Sequence, residues 1–178
     1  MPENAESHSV TLTPNRTCTI EISNISANFC LVNPKVHMDV GFSYSPPQPT
    51  VRTNNTEVCS FIKDDNTATG CAGVLTYELF HMHSRTCAKM MAIMFSVPFD
   101  YTYYKNYLAI GFFDKTRDDK DLFKYMYNNK DFPDFMRHEA DGSGVKYCSD
   151  KEAVEVRGCM CDDNKGIVKI ELYDQMGR

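Results

Sequence analysis

Tryptophan is absent from this chain of 178 residues. Any interfacial belt or aromatic cage must therefore come from its 10 tyrosines and 11 phenylalanines. Long apolar runs are also missing. The longest candidate, Met90-Met91-Ala92-Ile93-Met94-Phe95, is strand length, whereas a spanning helix needs about 18 consecutive apolar residues. There is no basic excess: Lys+Arg number 19 against 24 Asp+Glu, a net charge of −5. That balance excludes the basic face a nucleic-acid partner would require, and no polybasic run exists to grip anionic lipid. Nucleophile elbow, phosphate loop, dinucleotide glycine motif and HExxH are all missing, so neither an enzyme nor a bound cofactor is expected. The opening MPENAESHSVTLTPNRT has no apolar stretch of signal-peptide type. A soluble chain is expected, cytoplasmic or released outside the standard secretory route.

What is present reads as strand almost throughout, within a length that fits one domain. Cys18, Ile20 and Ile22 alternate with Thr19, Glu21 and Ser23, the pattern of a half-buried strand. Gly70 to Met82 places Leu75, Tyr77 and Leu79 on one face. Ala88 to Val97 is nearly all apolar, hence covered on both sides. Tyr107 to Phe113 and Ile167 to Tyr173 are further strands, the latter with Val168, Ile170 and Leu172 on one face. Tyr44-Ser-Pro-Pro-Gln-Pro-Thr50 must be loop or edge. One segment has another period: residues 116–129 open with acidic capping residues, then space Leu122, Phe123 and Met126 helically. Phe123 and Tyr127 share a face of that helix, and Pro133 stops it. The fold class is mainly β: a single compact β-sandwich with one or two short flanking α-helices. Residues 1–16 read as a flexible, polar N-terminal lead-in and residues 17–178 as the domain.

Eight cysteines at irregular spacing, with no leader, are expected to be free buried thiols. His81-Met-His83 and Cys159-Met-Cys161 each put two metal-ligating groups in reach of one another, but neither supplies the third and fourth ligands zinc requires, so no metal is expected. The strongest signal is FSVPFDYTYYKNYLAIGFF, residues 95–113. From Pro98 to Phe113, 7 of 16 residues are aromatic. Strand and core positions account for some of these rings. Tyr103, Tyr104 and Tyr107 are expected in the connecting loop, where backbone stays near water. Exposed tyrosines there suit a bilayer interface, or a cage around a quaternary ammonium such as choline. Phe123 and Tyr127 extend the patch if the helix packs beside the loop.

Gly73-Val-Leu-Thr-Tyr77, Phe95-Ser-Val-Pro-Phe-Asp-Tyr101 and Tyr104-Lys-Asn-Tyr107, in this order, resemble the actinoporin family of sea-anemone pore-forming cytolysins. Asn33-Pro-Lys-Val36 and the Pro-Pro-Gln-Pro loop look closer to its vertebrate, fish-type members. The resemblance implies a β-sandwich that binds phosphocholine headgroups, sphingomyelin above all, and homo-oligomerises on the membrane into a pore lined by an N-terminal amphipathic helix. Residue by residue, it implies a headgroup site at Ser96, Pro98, Tyr104 and Tyr127, with Phe123 standing for a tyrosine, Val40 for a serine and Ala72 for a valine. Tyr103 and Tyr107 stand for membrane-docking tryptophans. Only 17 residues precede Cys18, fewer than the roughly 20 needed to line a pore; permeabilisation is therefore expected to be weakened. The second reading is a lectin-like module whose exposed rings stack on glycans, since the fungal fruit-body lectins have the same sandwich and fold alone does not separate the two.

Overall fold

The computed structural model describes residues 4–130 and 132–175. Twelve strands and two helices are formed by these residues. One six-stranded sheet contains β1 (Thr17–Asn24), β3 (Phe42–Ser45), β5 (Asn55–Ile62), β10 (Gly144–Ser149), β11 (Val154–Met160) and β12 (Lys165–Asp174), in the order β10-β11-β12-β1-β5-β3. The other contains β2 (Phe29–Val40), β4 (Thr50–Val51), β6 (Cys71–His81), β7 (Thr86–Val97), β8 (Tyr107–Asp114) and β9 (Phe135–Glu139), in the order β4-β2-β6-β7-β8-β9. The two sheets face one another across a single apolar layer, which is the expected sandwich.

Strand alternation decides what fills that layer. Ile20, Leu75, Tyr77, Leu79, Ile93, Phe95, Val168, Ile170 and Leu172 all enter one buried cluster. Tyr77 also donates from its hydroxyl to the Gln48 carbonyl, 2.7 Å away, anchoring the proline-rich loop. On β6, β7 and β8 the opposite face is buried too, as the apolar run at Ala88 to Val97 implies. Val74, Met90, Ala92, Met94, Ala109 and Phe113 pack there against Leu122, Phe123 and Met126 of α2 (Asp119–Asn128). Phe112 and Phe113 thus part to the two faces. Asp118 caps α2 by accepting from the amides of Lys120 and Asp121, each at 3.1 Å.

The N-terminal reading needs correction. Residues 1–3 lie outside the described residues, but the remainder of the expected lead-in is docked. Helix α1 (Ala5–Ser9) follows an Asn4 cap. The Ala5 amide donates to Glu21 Oε2 at 2.8 Å, Glu6 pairs with Lys169 at 2.6 Å, and Lys165 Nζ donates to the Leu12 carbonyl at 2.7 Å. Ala5 and Leu12 are buried; the segment's few apolar groups suffice to hold it on β1 and β12. The helix gives way to a turn at Val10 and Thr11.

All eight cysteines are free thiols. The histidine pair does not share a strand face, because β6 ends at His81 and His83 lies in the following turn. His81 Nδ1 is 3.0 Å from Ser84 Oγ. No group of three metal-ligating side chains forms among the described residues. Nor, among them, is any helix long and apolar enough to cross a membrane.

Candidate functional site

The site begins as a row of side chains across the sheet. Val40 stands opposite Ala72, Ala72 opposite Ser96, and Ser96 opposite Tyr107. Directly paired residues point to the same face; here it is the face that carries α2. Two small residues between two larger ones leave a trough in the sheet surface. From the α2 side, Phe123 and Tyr127 close it, one turn apart and stacked with ring centroids 5.6 Å apart at 22°. From the other side come Pro98 and Tyr104, on the segment joining β7 to β8. The result is an open cavity of about 290 Å³. All seven residues expected at the headgroup site line it: Val40, Ala72, Ser96, Pro98, Tyr104, Phe123 and Tyr127.

Chemically the cavity is aromatic and weakly polar. Ser96 is 5% exposed and offers a hydroxyl at the floor. The Tyr127 phenol is pushed up by burial, then by the Tyr107 and Tyr104 phenols and the Asp39 carboxylate, while Arg137 opposes them. It therefore stays protonated and can donate. Tyr104 is 54% exposed and Tyr103 79%, so the loop carries its rings outward, together with exposed Phe99 and Tyr101.

The loop placement of Tyr107 is corrected by the structure. It is the first residue of β8 rather than a loop residue. Its half-buried ring meets Tyr127 edge-on at 6.3 Å and lies under the Arg137 guanidinium at 4.8 Å. Arg137 also donates to the Tyr127 carbonyl. β8 begins at Tyr107, where the strand reading places it, and pairing with Ser96 makes Tyr107 a wall support.

Sequence reasoning missed the residues that hold the loop. Arg16 donates from Nε to the Pro98 carbonyl (2.8 Å) and from Nη2 to the Phe99 carbonyl (2.6 Å), with its guanidinium 5.2 Å from the Phe99 ring centroid and 5.1 Å from that of Tyr101. Buried Asn106 donates to the Cys161 and Asp163 carbonyls and accepts from the Tyr101 hydroxyl. Gly70 lets the start of β6 approach the loop: a Cβ there would sit 2.1 Å from the Val97 carbonyl oxygen. No local pattern marks the carbonyls that Asn106 and Arg16 bind across the fold, which lie 55 to 83 positions away in the chain. Asp39 was missed as well, and lines the cavity.

The family described as sea anemone cytotoxic protein matches residues 51–173, more than half of the chain and including most of the cavity. The chain belongs to the actinoporin family. Relatives of this actinoporin include Tereporin-Ca1 of Terebra anilis, 27% identical over 95 residues, covering 53% of this chain and 47% of the relative. DELTA-alicitoxin-Pse1b of Phyllodiscus semoni is 30% identical over 107 residues, covering 58% of this chain and 42% of the relative. The matches thus span less than half the length of either relative. Among solved structures, the lipid-binding protein Nakanori superposes with a TM-score of 0.67 at 10% identity, covering 95% of this chain and 77% of its own. At that identity the likeness shows the shared sandwich fold.

Proposed function

We propose that this actinoporin docks on lipid bilayers by taking a phosphocholine headgroup into the cavity between α2 and the 98–106 segment. One observation carries the reading: residues from four separate parts of the chain, each expected at a headgroup site, line a single open cavity beside an exposed aromatic loop. Tyr104 and Tyr127 present ring faces and phenols to the quaternary ammonium. The Ser96 and Tyr127 hydroxyls donate to phosphate. Tyr103 and Phe99, at the loop surface, enter the headgroup layer, where amphipathic rings are favoured. Family membership and the lipid-binding description of a protein with this fold support the same direction.

Vesicle sedimentation with sphingomyelin, with phosphatidylcholine, and with phosphatidylglycerol alone tests it. Retention on the first two, released by soluble phosphocholine, is the expected result. Equal, negligible retention on all three would overturn it, and retention on immobilised glycans unaffected by phosphocholine would favour a lectin. The family's cytotoxic description extends the proposal to permeabilisation by several copies on the membrane, read as dye release from the same vesicles.

A further inference from the structure

Asp39 stands apart in the cavity lining. It is the only residue there with a formal charge, and that charge is negative; neither lysine nor arginine lines the space. Its position follows from alternation along β2: Val36 and Met38 pack against the inter-sheet core, while His37 meets Phe123 on the α2 face, so Asp39 falls on that face too. The register then shifts between β2 and β6, from Met38 opposite Gly73 to Val40 opposite Ala72, and this bulge turns Val40 to the same face. Asp39 thus lines the rim beside Val40, within electrostatic reach of Tyr127.

The cations nearby are already engaged. Arg137 is hydrogen-bonded to the Tyr127 carbonyl and stacked over Tyr107, and Lys105 pairs with Glu139 at 3.3 Å. Asp39 itself enters no ion pair among the described residues. A carboxylate beside two phenol rings and a phenyl ring, with no cation among the lining residues, stabilises a positive group and repels an anionic one. Phosphate is the poorer occupant of such a space.

Building on the headgroup reading above, we propose that Asp39 is the counter-charge of the methylated ammonium group in this cavity, and that this group contributes more to recognition than the phosphate does. The lipid class it takes is accordingly wider than phosphocholine lipids: any headgroup that ends in a quaternary ammonium, betaine and other phosphate-free lipids included, is a ligand. Lipids that present phosphate without methylated nitrogen are not. Asp39 then determines specificity, while the rings supply shape and dispersion.

Two experiments test this. In the first, the protein bound to phosphatidylcholine vesicles is challenged with tetramethylammonium and, separately, with glycerol phosphate. Release at a lower concentration of tetramethylammonium than of glycerol phosphate is expected; release by glycerol phosphate at an equal or lower concentration, or by neither, would overturn the proposal. Asp39→Asn is expected to weaken vesicle binding about fivefold, the upper range for one exposed charge pair, with Asp39→Glu recovering most of it. Equal or tighter binding by Asp39→Asn would also overturn it. Asp39 is exposed, so these variants should fold, which circular dichroism checks. The second experiment titrates tetramethylammonium into the free protein and follows amide shifts at Ala72, Ser96 and Tyr127. Shifts there without vesicle binding would sink the membrane reading and leave the ammonium site standing. Vesicle binding without such shifts would do the reverse.

Discussion

Arg16 fastens the aromatic loop, and removing it should loosen that loop without unfolding the protein. Arg16→Ala deletes two charge-assisted hydrogen bonds, to the Pro98 and Phe99 carbonyls, and two cation–π contacts, to Phe99 and Tyr101. Each such hydrogen bond is worth about 1.5–3 kcal/mol when shielded, and each exposed cation–π contact about 0.5–1 kcal/mol. Both carbonyls are partly open to water and can rebond to it, so the combined loss is discounted to about 2 kcal/mol. The other anchor, Asn106, is buried and untouched by the change. The loss should therefore fall on local opening of residues 98–104. The Tyr104 amide, which donates to the Asp100 carbonyl at 3.2 Å, reports that opening by hydrogen exchange. A loss of about 2 kcal/mol lowers its protection about thirtyfold, while amides in β6 and β7 keep theirs. Vesicle affinity should fall by a smaller factor, because the loop remains mostly closed. Unchanged exchange at Tyr104, or equal acceleration throughout the sandwich, would refute the assignment of Arg16 as a local fastener.

Tyr104→Ala should reduce binding to phosphatidylcholine vesicles by roughly 0.5–2 kcal/mol and leave the melting temperature nearly unchanged, since the ring is more than half exposed. Phe123→Ala should cost about 3–5 kcal/mol in urea unfolding, because that ring is both cavity wall and part of the α2 core. Gly70→Ala should destabilise by about 2–3 kcal/mol, as the atoms its Cβ would meet are backbone. Burial pushes the Cys59 and Cys71 thiols up to about 12 from 9.0. Their folded values lie above the unfolded ones, so the stability they contribute is full below about pH 9 and is lost as pH rises towards 12. At pH 8 a thiol reagent should label exposed Cys159 promptly and reach Cys18, Cys59 and Cys71 only on unfolding; prompt labelling of all eight would contradict that burial.

Much of the sandwich could be read from period alone, because inward residues of β1, β6 and β12 alternate cleanly. Helix α2 was equally legible: its cap, its apolar spacing and the Phe123–Tyr127 pair are local features. β2 was harder, since Asn33-Pro34 and two register shifts interrupt its alternation. The docking of residues 4–16 was hidden for a different reason. It depends on Glu21, Lys165 and Lys169, which only the fold brings alongside. The cavity shows the same division. Its aromatic members were visible as an excess of rings, whereas Asp39 and Val40 share one face only through a bulge in β2 and Arg16 reaches the loop from 82 residues away. Tyr107 reads both as the start of a strand and as a loop ring; its pairing with Ser96 decides for the strand and makes it a wall.

Paramagnetic broadening in phosphatidylcholine bicelles doped with a headgroup spin label tests membrane docking most directly. Docking through the cavity end predicts selective loss of amide signals across residues 98–106 and at Tyr127, with the turn at 82–85 and the outer face of β10 and β11 unaffected. Broadening centred on either of those distant regions, or none at saturating lipid, would contradict it.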